Sequence, residues 1–380
     1  MNKKASSLFF LSNGWFPQTP GGLERYVYEL THNLKSSGDW VNLAGIGLPE
    51  QSKNHQLQLV NLAPTNQPLW RRLWSAHHYF RFQNLHQFDA INLHFSLYSL
   101  PILPYLPPTV PVTFTFHGPW ALESQQQGGN PLAIGMKKWI EQQVYQRCDR
   151  FIVLSKAFGQ ILHQNYQISW DKIEIIPGGV DTQKFNANLS RSQARKQLNW
   201  PSDRLILFTP RRLVQRMGVD KLLTAIANIK PQFPDIWLAI AGQGPLKTVL
   251  EQQAQALGLH NQVKFLGFLP DRQLPIAYQG ADLTVIPSQY LEGFGLVLLE
   301  SLACGTPVIA TPVGGMPEVL TPLSPQLITE SSTVEAITAQ LLALVRGNIS
   351  IPSRATCRDY AVKNFDWHKI AQQVRQVLLI

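Results

Sequence analysis

The sequence predicts an α/β protein built on two doubly wound parallel sheets, and three observations carry that expectation. Short β-branched or aromatic runs alternate with longer helical stretches from end to end. Strands buried on both faces and separated by helices indicate doubly wound parallel sheets. The runs also fall into two series, and 380 residues exceed what one compact core usually holds.

The first series places strands at residues 8–12, 41–46, 57–62, 90–95, 112–116, 151–154 and 173–176. The second places them at 205–208, 236–241, 263–266, 283–287 and 308–310. Between the series, Pro177-Gly178-Gly179-Val180-Asp181 follows a strand and opens a polar stretch through 190–195, which reads as an interdomain linker. The predicted domains are therefore 1–178 and 179–365. A helix over 367–378, in a final segment 366–380, is expected to pack back onto the first domain. Internal repeats and low-complexity tracts are absent from the sequence.

Hydrophobic residues make up 44% and charged residues 15%, with a formal net charge of +9. A basic balance suits nucleic acid, an anionic membrane surface or phosphorylated small molecules. No nucleic-acid-reading module occurs, and the charge is spread over both halves, so nucleic acid is not an expected partner. Cys148, Cys304 and Cys357 form no C-x-x-C, which excludes a disulfide framework and a zinc knuckle and leaves small buried thiols in a reducing compartment. The apolar run 8–11 is too short for a signal-peptide core, and no apolar stretch reaches the roughly 18 residues of a spanning helix. A cytoplasmic protein is expected, with contact at the inner face of the membrane left open.

Ligands of open parallel sheets bind at the carboxyl ends of the strands, so two such sheets facing each other would gather their loops at one cleft. The densest signal there is 281–318, ADLTVIPSQYLEGFGLVLLESLACGTPVIATPVGGMPE. Glu292-Gly293-Phe294-Gly295 leads into a helix holding Leu296 and Glu300. Glycines at a helix start let a ligand approach the backbone, and the unpaired amides favour anions, so the Phe294–Leu296 turn suits a diphosphate. Glu292 and Glu300 are eight residues apart, about 12 Å along a helix. Glycosidase carboxylates sit roughly 5–9.5 Å apart. This pair is too widely spaced for one bond but suits an extended nucleotide-sugar, with Glu292 at the hexose and Glu300 at the ribose. Solvated helix charges are the other reading.

With its E-x7-E spacing, CGTPVIAT and the GG-x-PE of 314–318, the segment resembles family 4 of the retaining GT-B glycosyltransferases (glycosyl transferases group 1). The resemblance extends to GWFPQTPGGLERYVYEL, FHGPW, PRRLVQRMGVDKLL and AGQGP, in order, across nearly the whole chain. It implies two Rossmann-like domains facing across a cleft, acceptor on the first and nucleotide-sugar on the second. It also implies a UDP- or GDP-linked hexose donor and transfer with retention to a glycan, lipid-linked or small-molecule acceptor, as in polysaccharide biosynthesis.

Further residues follow, partly by that resemblance. Gly21 and Gly22 lie in the loop after the first strand; the family uses its amides near the donor, and an ordinary β-to-α turn is the alternative. His117 closes the strand 112–116, where a side chain can reach a cleft or remain in the core; in the family the matching His contacts the donor sugar near the reacting carbon. Arg212 suits a diphosphate because its guanidinium forks onto two oxygens. Many relatives carry a lysine five residues later, where this chain has Met217. Arg216 is the favoured substitute, with Arg211 the other. Gly242 and Gly244, with Gly267 and Phe268, would border the nucleotide base or simply form a structural turn.

No two acidic residues stand at i and i+2, so the D-x-D that commonly holds a metal against a donor diphosphate is missing, and neither metal nor other cofactor is expected. Residues 69–82 mix tryptophans and arginines, and no acidic residue occurs over 51–88. Interfacial membrane helices have that composition, as does a core-packing helix with an arginine-bearing outer face. The expected chemistry is front-face departure of the nucleotide, with Arg212, Glu292 and His117 as the catalytic set and domain closure excluding water. Two alternatives stand beside it. A nucleotide-sugar epimerase would need acid/base groups near His117, where no carboxylate cluster is evident; a weakened binding subunit is the reading for which Met217 speaks.

Overall fold

The computed structural model describes residues 5–49 and 56–380; Lys3 and Lys4 of the basic N-terminus, and 51–55 of the acid-free stretch, lie outside them. Each predicted strand forms to within a residue or two of its expected bounds. The chain divides into two compact units, one comprising the chain up to Gly179 together with Trp367–Ile380, the other Val180–Asp366.

The first unit holds a seven-stranded parallel sheet in the order β3-β2-β1-β4-β5-β6-β7. Its strands are β1 (Ser7–Leu11), β2 (Trp40–Ile46), β3 (Leu57–Ala63), β4 (Ala90–Leu93), β5 (Val112–Phe116), β6 (Arg150–Val153) and β7 (Ile173–Ile175). The helices are α1 (Gly22–Ser36), α2 (Leu69–Phe80), α3 (Ser96–Ser99), α4 (Trp120–Gln126), α5 (Pro131–Arg147) and α6 (Lys156–Tyr166). Central strands β4 and β5 are buried at every position, whereas the edge strand β3 alternates with exposed residues. The polar members of the middle strands, Asn92, Thr113 and Thr115, are buried along with their apolar neighbours. One core cluster, including Phe9, Phe80, Phe114, Phe116 and Phe151, fills one face.

The second unit holds a five-stranded parallel sheet in the order β10-β9-β8-β11-β12. These are β8 (Leu205–Pro210), β9 (Ile236–Ala241), β10 (Val263–Gly267), β11 (Leu283–Ile286) and β12 (Val308–Ala310). Its helices are α7 (Arg191–Leu198), α8 (Val219–Ile229), α9 (Lys247–Ala256), α10 (Leu274–Gly280), α11 (Leu296–Ala303), α12 (Met316–Leu320), α13 (Val334–Val345) and α14 (Arg354–Phe365). The stretch 190–195, expected to be a linker, instead opens α7. Ser190 and Gln193 form a reciprocal capping box, and Arg195 is buried, its Nη2 2.6 Å from Asp282 and its Nε donating to the Gly280 carbonyl.

The last helix, α15 (Trp367–Leu378), belongs to the first unit and packs on α1. Arg375 reaches the fully buried Asp39 at 2.7 Å, and Trp367 lies edge-on to Tyr26 at 5.1 Å.

In both sheets the strand order reverses direction once, between β1 and β4 in the first and between β8 and β11 in the second. Such switch points leave a crevice beyond the carboxyl ends of the two strands. The loops that begin there carry most of the residues singled out in the sequence.

Candidate active site

In the second unit, the loops after β8 and β11 meet. Glu292 lies before α11 rather than on it, and its partner is Arg211, whose Nη2 donates to both Glu292 Oε2 and Ser288 Oγ. Arg211 is 5% and Glu292 13% exposed at the side chain. Burial alone would raise the Glu292 carboxyl. The charge and hydrogen bond of Arg211, the charge of Arg216 and the Ser288 hydroxyl outweigh it and hold the group below the usual carboxylate range. Arg211 Nε is buried without a partner.

The adjacent Arg212 is exposed and, among the described residues, makes no ion pair. Arg216 Nη1 donates to the Leu291 carbonyl at 3.1 Å, and its own carbonyl accepts from Gln289 N at 2.8 Å. Met217, at the position where many relatives carry lysine, is buried in the core cluster with Leu213, Val219 and Leu222. Its side chain therefore fills the interior, and Arg216 is the cation beside Glu292.

Glycines make this convergence possible. Gly314, at φ +58°, lies against Glu292 so closely that a Cβ there would sit 1.7 Å from the Glu292 carbonyl oxygen, and Gly315 N donates to that oxygen at 3.1 Å. The GG-x-PE segment thus holds the loop that carries Glu292. A Cβ on Gly242 would meet the Arg211 carbonyl at 2.0 Å and one on Gly244 the Leu213 carbonyl at 2.3 Å. Both glycines accordingly serve the close approach of the β9 loop to the arginine loop. Phe268 is 59% exposed beside Gly267.

Glu300, on α11, is buried and accepts from Tyr278 Oη at 2.8 Å. Phe294 is also buried, edge-on to Phe365 at 6.0 Å. Gly295 caps α11 at φ +79° with no side-chain cap, and the amide of Leu296 begins the helix, where no intrahelical carbonyl reaches it.

In the first unit, Gly21 precedes α1 in extended conformation, Gly22 is exposed with open space around its Cα, and Glu24 is buried with Oε1 accepting from Asn13 Nδ2 at 3.1 Å. His117 follows β5 and is half-buried; its Nε2 lies 2.9 Å from Nδ1 of His94, which follows β4. Sequence reasoning passed over His94, although the strand-end position that marked His117 marks it equally. Two carboxylates border the turn that follows His117. A Cβ on the next residue, Gly118, would lie 3.2 Å from Glu123 Oε1. Glu141 accepts from Trp120 N at 2.8 Å, Ala121 N at 3.3 Å and Tyr166 Oη at 2.7 Å, fixing the turn after His117. Burial raises the Glu141 carboxyl to about 7 against those hydrogen bonds.

Two doubly wound sheets, each gathering polar side chains at its switch point, make this a two-domain GT-B protein, and solved structures share the arrangement. Sucrose-phosphate synthase from Thermosynechococcus elongatus superposes with a TM-score of 0.81 at 22% identity, covering 98% of each chain. Anabaena Alr3699/HepE, solved in complex with UDP-glucose, gives 0.78 at 21% identity over 98% of this chain and 99% of that one. The family described as Glycosyltransferase Family 4 matches residues 20–184, and that described as Glycosyl transferases group 1 matches residues 190–364. The chain belongs to the group 1 glycosyltransferases. The GDP-mannose-dependent alpha-(1-6)-phosphatidylinositol monomannoside mannosyltransferase of Mycolicibacterium smegmatis is 30% identical over 217 residues, 54% of this chain and 56% of that protein. The D-inositol 3-phosphate glycosyltransferase of the same organism is 37% identical over 183 residues, 47% and 41%. The matched region thus spans about half the length of these relatives.

Proposed function

We propose that the protein is a hexosyltransferase of family 4 that moves a sugar from a UDP- or GDP-linked donor to a glycan, lipid-linked or small-molecule acceptor, with retention and without a metal ion. The observation that carries this reading is the crevice at the β8/β11 switch point, where Glu292 is held by Arg211 while Arg212 stays exposed and Arg216 lies alongside. Glu292 pairs with Arg211, and the exposed Arg212 and the adjoining Arg216 bring further positive charge to the crevice. Together with the amides at the start of α11 they suit a diphosphate, whose charge they would neutralise in place of a metal. Glu292, kept ionised, would accept hydroxyl hydrogen bonds from the donor hexose, and Phe268 would border the base.

In the reaction, the bond from the anomeric carbon to the diphosphate oxygen breaks on the face where the acceptor hydroxyl attacks. The acceptor proton passes to the departing diphosphate oxygen. Arg212 and Arg216 stabilise the charge that develops there, the largest contribution this site has to make. A GDP-mannose-dependent relative and the UDP-glucose complex of HepE support the donor class.

A lipid-linked acceptor at an anionic membrane surface has its own support. On α2, Trp70 and Trp74 are 64% and 61% exposed, and Arg71 stacks on Trp70 at 5.1 Å. Leu132, Met136 and Trp139 form an exposed stripe on α5. Both helices connect strands that advance in the same direction across the sheet, and right-handed crossovers put them on one face. The opposite side of α2, through Ala76 and Phe80, packs in the core. Among the described residues no helix is long and apolar enough to cross a membrane.

The test is a thermal-shift panel of nucleotide-diphosphate sugars with and without EDTA, followed by mass spectrometry of products with candidate acceptors. A new glycosidic bond, formed undiminished by EDTA and abolished in Glu292→Gln, is the expected result. An isomerised sugar with no acceptor bond would establish the epimerase instead. Tight nucleotide binding with no turnover would establish the binding subunit.

A further inference from the structure

The two histidines at the ends of neighbouring strands β4 and β5 form a pair whose proton can be placed. His94 is 1% exposed, with Phe10 stacked on its ring at 5.7 Å. Its Nδ1 lies 2.9 Å from His117 Nε2, the two rings 26° from parallel, and Tyr26 closes edge-on over His117 at 5.0 Å. One proton lies between these hydrogen-bonded nitrogens when both rings are neutral, and burial keeps them neutral: His94 is held well below the ordinary histidine range and His117 is lowered to about 3.

The proton can belong to either ring. If His117 donates from Nε2, His94 accepts at Nδ1 and must carry its own proton on Nε2. That atom is buried and has no hydrogen-bond partner; Ser12 Oγ and Tyr26 Oη, also buried, make no bond to it. A buried N–H without an acceptor is among the rarest defects of folded proteins, whereas an unpaired acceptor is better tolerated. If instead His94 donates from Nδ1, its Nε2 is merely an unpaired acceptor, and His117 carries its proton on Nδ1. Among the described residues His117 Nδ1 makes no hydrogen bond, and it is the nitrogen left for a ligand.

We propose that His94 is a positioning residue that fixes His117 as the Nδ1–H tautomer, so that His117 meets its ligand as a hydrogen-bond donor and never as a base. A donor at this point suits a sugar hydroxyl or ring oxygen. It also assigns proton removal from the acceptor to some group other than His117. The kinetic consequence rests on His117 lying at the donor sugar, as proposed above; the tautomer does not.

Long-range proton–nitrogen NMR of the 15N-labelled full chain, with His94→Gln and His117→Gln to assign the signals, reads the tautomer directly. The expected spectrum gives His117 a protonated, pyrrole-type Nδ1 and an unprotonated Nε2. A pyridine-type Nδ1 on His117 overturns the proposal. His94→Leu, which cannot donate, should release the His117 proton to Nε2, while His94→Gln, whose amide can donate, should keep it on Nδ1. If His94→Leu does not fold, the unmodified chain and His94→Gln decide the matter. With UDP-glucose and GDP-mannose as probes, kcat of whichever is turned over should fall about tenfold in His94→Leu, the worth of one hydrogen bond, with KM unchanged and with recovery in His94→Gln. The stated tautomer with unchanged kcat would overturn the placement of His117 at the sugar and leave the tautomer standing.

Discussion

Replacing Arg211 by Met removes one partner of a buried ion pair and leaves the other in place. Both side chains are nearly buried, at 5% and 13% exposed, so water does little to relieve the stranded Glu292 carboxylate. Breaking such a pair costs about 3–5 kcal/mol. For a unit of 150–250 residues each kcal/mol moves the midpoint by roughly 2–4 °C, so the melting temperature should drop by about 6–20 °C near neutral pH. The sign of the pH dependence follows from Glu292. In the native pair its value is depressed, so its stabilising share is complete above the unfolded value near 4.3 and lost as pH falls through the lower folded one. Without Arg211, burial is opposed only by the charge of Arg216 and the Ser288 hydroxyl, and the folded-state value rises. The penalty in Arg211→Met is then largest above that raised value and shrinks as pH falls through it. Differential scanning fluorimetry of both proteins from mildly acidic to mildly basic pH measures this, and adding Glu292→Gln to the variant should recover much of the loss. A deficit of about 2 °C or less at neutral pH, or one that does not change with pH, would refute the reasoning.

Other perturbations separate folding from ligand binding. Arg212→Ala, at an exposed and unpaired position, should leave the melting temperature almost unchanged while weakening UDP or GDP binding about tenfold by calorimetry; unchanged affinity would remove Arg212 from the site. Gly314→Ala places a Cβ 1.7 Å from the Glu292 carbonyl and should abolish nucleotide-sugar binding even where the chain still folds; wild-type binding would show that this loop does not set Glu292. Glu141 keeps its proton to about 7, above the unfolded value, so its share of stability is lost as pH rises through that window. Glu141→Gln should lack this slope, and thermal melts across the window that track wild type in parallel would contradict it.

The strands were legible because central strands of a parallel sheet are buried on both faces, which leaves β-branched and aromatic runs such as 112–116 and the wholly apolar 236–241. Helix α7 was not, because Arg191, Ser192, Gln193 and Lys196 have a linker's composition. The readable sign there was the spacing of Ser190 and Gln193 as a capping box. At the site, the second-unit loops could be located from glycine and glutamate spacing, but adjacent arginines were beyond that method. Arg211 turns inward to Glu292 and Arg212 outward, a difference set by the backbone after β8. Glu300 was placed for the ribose on spacing alone, and its bond to Tyr278 depends on where α10 packs. The role of Gly314 is likewise tertiary, since it supports a residue that is distant in sequence but adjacent in space.

The course of the chain through the second unit bears on how the first is completed. Val180 N donates to the Phe365 carbonyl at 2.8 Å, and Val180 and Asp366 form a parallel bridge. Val180–Asp366 is one uninterrupted segment, whereas the first unit takes its last helix, α15, from the end of the given sequence. Once that segment has folded, its two ends emerge side by side. Trp367 is thereby delivered to Gly179, where a Cβ would sit 2.5 Å from the indole, and Arg375 comes within reach of Asp39, 336 residues earlier in the chain. A closure that is long-range along the chain becomes a local one in space.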